Sequence, residues 1–151
     1  MAKCVQCRDG ELKTGKALGK IRVGKHEFSA EVPVRQCSKC NETYWNGPAM
    51  ERLEMKAAAE LARSGEVSAE AFKLQRKTLG IMGKDLAGLL DLTPEQVSKY
   101  ENGKAVIDRR AAALLATMVL EEESGRRDTR ERLEAFLKPH KLGAQVRLKV
   151  A

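Results

Sequence analysis

Two kinds of periodicity divide the chain. Between residues 8 and 36 apolar positions alternate with polar ones: Ile21 and Val23, then Phe28, Ala30, Val32 and Val34 over seven residues. A period of two places every second side chain on one face of a β-strand, so this stretch is predicted to be β-rich. Gly10, Gly15, Gly19 and Gly24 punctuate it and are candidates for hairpin turns. After Gly47-Pro48 the spacing changes to three and four. Met50, Leu53, Ala57 and Leu61 predict a connecting helix over residues 49–63, with polar residues over most of its face, stopped at Ser64-Gly65.

From Ser68 onward the pattern is of short helices between tight turns. Ser68 is an N-cap candidate for a helix containing Phe72, Leu74 and Leu79, ended by Gly80. A second helix is expected over residues 83–90, with Leu86, Ala87 and Leu90 inward, followed by a turn at Asp91-Leu92. Thr93-Pro94 opens a third, Thr as N-cap and Pro in the first turn, running to Asn102 and closed by Gly103. Asp108 caps a fourth, with Leu114, Leu115, Met118 and Val119 on one side, ended by Ser124-Gly125. Thr129 begins a fifth, with Leu133, Phe136 and Leu137, stopped by Pro139. The last residues alternate through Val146, Leu148 and Val150, which fits either a strand added to an existing edge or a disordered terminus.

The expected fold class is therefore α+β: a small β-rich unit over 1–47, a connecting helix and linker over 48–67, an all-α unit over 68–138, and a tail over 139–151. No run of 18 apolar residues is present, so no membrane span is expected. Met1-Ala2-Lys3 leads directly to a cysteine without an apolar stretch. No secretory signal is expected, and a cytoplasmic setting, where disulfides are rare, is.

That setting makes the four cysteines informative. Cys4, Cys7, Cys37 and Cys40 form C-x2-C, a 29-residue spacer, and C-x2-C. Each C-x2-C turn aims two thiolates at one point, and two turns complete the tetrahedron of a structural Zn2+ site. Two adjacent redox dithiols are the other reading of the same spacing. No βαβ pattern follows either pair, as a thioredoxin-like motif would require. A site with four protein ligands is closed to a catalytic water, so zinc here is expected to fold the unit and not to act on substrate. A β-rich unit of 40 residues is also too small to rely on burial alone. No nucleophile–base pair or phosphate loop accompanies the cysteines, and no enzyme is expected.

The segment Gly83–Glu101 carries the second signal. A helix-turn-helix requires a small residue where its helices cross, and Ala87 stands there. Asp91 occupies the first turn position, where the backbone tends to positive φ and Asp is tolerated. Val97 stands where the second helix packs back on the first. Gly83-Lys84-Asp85-Leu86-Ala87 through Val97-Ser98-Lys99-Tyr100-Glu101-Asn102-Gly103 resembles the phage-repressor (Xre-type) helix-turn-helix. Together with the paired C-x2-C units, the arrangement resembles the MqsA (YgiT-type) zinc-finger/helix-turn-helix antitoxins over residues 1–137.

The resemblance implies a structural zinc domain able to bind a cognate toxin, and a helix-turn-helix domain that dimerises and represses its own operon. It implies that Thr93 holds a phosphate and that Glu95, Gln96, Ser98 and Lys99 face bases. Asn102 and Lys104 would touch the backbone of a double-stranded operator. Arg76 and Glu101 match a pair that ties the first helix of that domain to the third. Where the family often has Ser/Thr-Gln at the start of the first motif helix, this chain has Met82-Gly83, and that phosphate contact is missing. Glu95 and Lys99 occupy positions where relatives use Asn and Arg, so the operator sequence does not transfer.

Residue chemistry bears on the same positions. Lys donates to guanine O6/N7, Gln pairs with adenine, and a carboxylate accepts from cytosine N4. Each also has a plainer reading: Glu95 as a first-turn acid favoured by the helix dipole, Lys99 as a solvated lysine, Arg76–Glu101 as a loose surface pair. Useful specificity from one short reading helix requires two half-sites, hence a homodimer. The helices over 108–123 and 129–137 are its candidate contacts. A stand-alone transcription factor without a toxin, or a protein that mainly sequesters one, would share these features.

The net charge of +7 qualifies the picture. Residues 1–50 carry +4, 51–65 are neutral, 66–120 carry +1 and 121–151 carry +2. A zinc tetrathiolate would lower the first figure to about +2. The expected reading unit is nearly neutral, so its cations would have to share one face: Lys84, Lys99, Lys104, Arg109 and Arg110. Arg126, Arg127, Arg130 and Arg132 could add DNA contacts or form an ordinary solvated helix start.

Overall fold

The computed structural model describes residues 2–151 as a three-stranded antiparallel sheet followed by six helices. Strands β1 (Leu12–Val23) and β2 (His26–Cys37) form one long hairpin, closed by a two-residue turn in which Gly24 takes a left-handed φ of 58°. Val23 pairs with His26 and Leu12 with Cys37. Of the four glycines expected to turn, only Gly24 closes the hairpin; Gly15 and Gly19 lie within β1. Gly19 is needed there for a different reason. A Cβ at that position would come within 3.1–3.3 Å of Val32, Met50 and Leu53, so its absence lets a helix lie close on the strand. A third strand, β3 (Thr43–Trp45), pairs with Val34–Gln36 at the other edge of β2.

The sheet has one covered face. Helix α1 (Gly47–Ser64) is capped by the Asn46 side chain, which accepts from the Ala49 N–H at 2.9 Å, with Pro48 in its first turn. It buries Ala49 and Leu53 on the sheet side, beside Val32, Val34 and Gly19. Ala58 and Ala59 are buried in the main helical core, and Leu61 packs with Val23 at the hairpin tip. The expected connecting helix is thus a shared wall: it packs against β1 and β2 as well as against α2 (Ala69–Thr78) and α5 (Arg109–Glu123).

The helical core gathers Phe72, Leu79, Ile81, Leu86, Ala87, Val97, Tyr100, Leu115, Met118 and Val119. The Phe72 and Tyr100 rings meet edge to face at 5.6 Å. Two short helices, α3 (Gly83–Leu90) and α4 (Pro94–Glu101), are joined by the three residues 91–93. Asp91 ends α3 in the left-handed region, φ 54° and ψ 46°, and its N–H returns to the carbonyls of Ala87 and Gly88. Arg76 ties α2 to α4. Its Nε and Nη2 donate to the Glu101 carboxylate, the latter at 3.1 Å, and its Nη1 donates to the Ile81 carbonyl at 2.9 Å. Side-chain exposures of 15% and 11% make this a mostly buried, bidentate pair and not a loose surface one.

Helix α6 (Asp128–Leu137) is pinned to the end of α5 by Glu121, whose carboxylate accepts from the Thr129 N–H at 2.8 Å and hydroxyl at 2.7 Å. It buries no residue fully, and it leaves Phe136 80% exposed. The apolar side of α5, by contrast, is consumed within the chain. Residues 138–151 contain neither helix nor strand, so of the two readings of Val146–Val150 the added edge strand does not form. Among the described residues no helix is long and apolar enough to cross a membrane.

Candidate metal centre and the exposed face of the fourth helix

The two C-x2-C units fold into equivalent turns at one end of the hairpin. In the first, the Arg8 N–H donates to the Cys4 carbonyl at 2.9 Å and Arg8 takes a φ of 62°. In the second, the Asn41 N–H donates to the Cys37 carbonyl at 3.2 Å and Asn41 takes a φ of 59°. Each turn also sends an N–H to sulfur at 3.4 Å: Gly10 to the Cys7 Sγ and Lys39 to the Cys37 Sγ. The turns face each other because Cys37 closes β2 opposite Leu12, the first residue of β1.

All four Sγ atoms lie within 4.8 Å of one another. Cys4–Cys40 and Cys7–Cys37 are both 3.6 Å apart. Zn–S bonds of about 2.3 Å imply S···S edges of about 3.8 Å in a tetrahedron, so the donor set fits a tetrahedral ion. None of the four is in a disulfide, and Cys4 and Cys37 are 1% exposed. A Cβ at Gly10 would overlap the Cys37 sulfur, so the cradle has room for glycine alone.

Hydrogen bonds and mutual proximity push the thiols in opposite directions. The Tyr44 hydroxyl, 3.2 Å from the Cys4 sulfur, and the Cys7 N–H bring the Cys4 thiol down to about 6. N–H groups of Gly10 and Asp9 lower Cys7. The Glu42 N–H favours the Cys40 thiolate, but burial and the other three sulfurs outweigh it and raise that thiol to about 12. Four thiolates cannot ionise together at this spacing without a positive charge among them. Tyr44, which also accepts from the Gln6 N–H at 3.4 Å, stands on β3. Its only trace in the sequence is an aromatic four residues after the last cysteine.

The second site is the outward face of α4. Thr93 and Gln96 form a reciprocal cap: the Gln96 N–H donates to the Thr93 Oγ1 at 3.1 Å and the Thr93 N–H to the Gln96 Oε1 at 2.9 Å. Val97 and Tyr100 point into the core, while Thr93, Glu95, Gln96, Ser98, Lys99, Asn102 and Lys104 are all exposed. Glu95, Ser98, Lys99, Asn102 and Lys104, with Pro94, line one shallow open concavity; Thr93 and Gln96 stand outside it. The Asn102 amide donates to the Ser98 carbonyl at 2.9 Å and hydroxyl at 3.3 Å. Gly103, at φ 68°, turns the chain so that Lys104 lies beside the helix end, its N–H on the Lys99 carbonyl at 2.9 Å.

The remaining cations divide. Lys84 is exposed, Arg109 lies toward the groove between α1 and α5, and Arg110 is held by Asp108 at 3.0 Å. The arginine cluster after α5 is largely spent: Arg126 pairs with Asp128, Arg127 with Glu122 at 2.9 Å and Arg130 with Glu134 at 3.4 Å. Arg132, the fourth of the cluster, is exposed and belongs to none of these pairs. Met82 caps α3 without a side-chain hydrogen bond, leaving that helix start without a polar hook. No known family and no curated protein matches the chain.

Proposed function

We propose that the chain is a cytoplasmic, sequence-specific transcriptional repressor that binds double-stranded DNA and carries a structural zinc ion in its β-rich unit. The observation that carries this reading is the α3–turn–α4 unit. Ala87 and Val97 are 1% exposed where the two helices meet, Asp91 supplies the left-handed turn, and the outer face of α4 is free of the rest of the chain. Taken as a helix-turn-helix, α4 enters the major groove. Glu95, Ser98 and Lys99 face base edges, Gln96 does so through its Nε2 donors because its carbonyl is engaged by Thr93, and Thr93, Asn102 and Lys104 meet phosphates.

Zinc suits the tetrathiolate set and its near-tetrahedral spacing. A closed four-sulfur site supplies folding energy to a unit with little core of its own. Dimerisation is supported by the brevity of α4, which spans only a few base pairs, and by the exposed Phe136 and Leu137 on α6. The antitoxin role is supported by the resemblance over residues 1–137, and co-purification with the product of an adjacent gene tests it. The DNA reading is tested on the segment upstream of the protein's own gene. Lys99→Ala loses binding there while keeping the parent melting temperature. Equal binding removes Lys99 from the reading face, and a parent protein that binds no DNA refutes the reading.

A further inference from the structure

Charge in the helical half is divided along the sequence. Residues 66–137 carry 12 Lys+Arg against 13 Asp+Glu, a net of −1, whereas residues 138–151 carry 4 against none. A nearly neutral body offers a duplex little net attraction, since the affinity of DNA for proteins comes largely from phosphates neutralised by Lys and Arg. The arginines that could have helped, Arg126, Arg127 and Arg130, are committed to Asp128, Glu122 and Glu134. Like Arg132, Lys141, Arg147 and Lys149 are not committed in this way. They are exposed and belong to no ion pair among the described residues.

The place where this segment leaves the helical body is fixed. Phe136 and Leu137, at the end of α6, line the same groove as Gly88, Leu89 and Asp91, the last at the turn into α4. The basic segment therefore starts beside the turn that sets α4, and not on the sheet side of the molecule. An extended chain covers about 3.3 Å per residue, so Arg147 and Lys149 reach some 30–40 Å from Leu137, roughly the length of one turn of duplex. Extended backbone also puts Arg147 and Lys149 on one side and Val146, Leu148 and Val150 on the other.

We propose that residues 138–151 are a sequence-independent DNA-contacting arm, with Lys141, Arg147 and Lys149 on phosphates flanking the segment read by α4. The inference rests on the DNA-binding reading and adds a second source of electrostatic affinity outside α4. The arm neutralises about three phosphates per chain, and α4 supplies the discrimination.

The test compares the zinc-loaded parent with the full-length triple variant Lys141→Gln, Arg147→Gln, Lys149→Gln. Fluorescence anisotropy follows each on two labelled duplexes, the segment upstream of the gene and a shuffled sequence of equal length. The slope of log Kobs against log salt is expected to be less steep by about 2.7 in the variant, at about 0.9 per phosphate contact. Between about 50 and 200 mM salt the parent then loses about 40-fold more affinity than the variant, equally on both duplexes. Equal slopes, as for a tail that serves an acidic protein instead, overturn the arm. An effect confined to the upstream duplex overturns its sequence independence. If the parent binds neither duplex, the DNA reading falls and the arm with it. If the parent binds and Lys99→Ala weakens it while the triple variant keeps the parent slope, only the arm falls.

Discussion

Replacing Arg76 with alanine tests whether the α2–α4 clamp holds the helical core together. The substitution removes two donors from the Glu101 carboxylate and one from the Ile81 carbonyl, and it leaves Glu101 charged at a position 11% exposed. Breaking a buried pair from one side costs about 3–5 kcal/mol, mostly from the stranded charge. The residual exposure lets some water reach Glu101, so the lower end applies, about 3 kcal/mol. For a chain of this size that lowers Tm by about 6–12 °C. Circular dichroism melts at neutral pH, with zinc present at equal concentration, measure it. Glu101→Gln on the Arg76→Ala background removes the stranded charge and should recover part of the loss, giving a coupling above about 1 kcal/mol in the double-mutant cycle. A Tm within about 2 °C of the parent, or additive single effects, would refute the clamp. Loss of secondary structure without metal release would also separate it from the zinc site, because Arg76 lies in the helical unit.

The other expectations concern the β unit and its junction. A thiol reagent added to denatured protein should release about one zinc per chain; release of none rules out the metal. Gly10→Ala places a Cβ where the Cys37 sulfur lies, so metal affinity measured by chelator competition should fall by tenfold or more, while Gly15→Ala, with open space around it, should leave affinity unchanged. Equal affinities would show that the cradle adapts. At the hairpin tip, the His26 Nε2 and Glu66 Oε1 are 2.6 Å apart, and the Ser68 hydroxyl donates to Glu66 at 3.1 Å. The His26 hydrogen bond, more than the one from Ser68, holds the Glu66 carboxyl below its ordinary 4.5. The folded state therefore binds fewer protons than the unfolded one in that range. The pair's stabilisation is complete above about 4.5 and lost as pH falls through the lowered folded value. As a solvent-reachable pair it is worth under about 1 kcal/mol. Glu66→Gln should flatten this part of the stability–pH curve, and an unchanged curve would remove the junction from the balance.

How much of this was legible in the sequence depends on what each signal measures. Caps were legible because they are local chemistry: Ser68, Thr93-Pro94 and Asp108 mark helix starts where the backbone N–H groups need an acceptor, and each helix begins there. The cysteine cluster was legible because C-x2-C fixes its own turn, and only the hairpin carried by the 29-residue spacer had to bring the turns together. The strand β3 was not, since three residues cannot show a period. Gly15 and Gly19 carried the same turn signal as Gly24; what separates them is long-range, in that Gly19 meets Met50 and Leu53 from α1. The role of α1 was hidden by its alanines. Ala57, Ala58 and Ala59 are consecutive and all buried, which no single amphipathic stripe produces. A helix wedged between a sheet and two other helices buries more than one side, and alanine is what fits in the narrow gaps. The same limit applies to charge. Whether Arg126, Arg127 and Arg130 are free or paired was open in the sequence, because their partners sit two to five residues away and pairing across a turn has no compositional trace. Once those pairs are set aside, residues 138–151 stand out as a run with four Lys and Arg and no acidic residue among them. A charge count taken over whole segments had spread them out of sight.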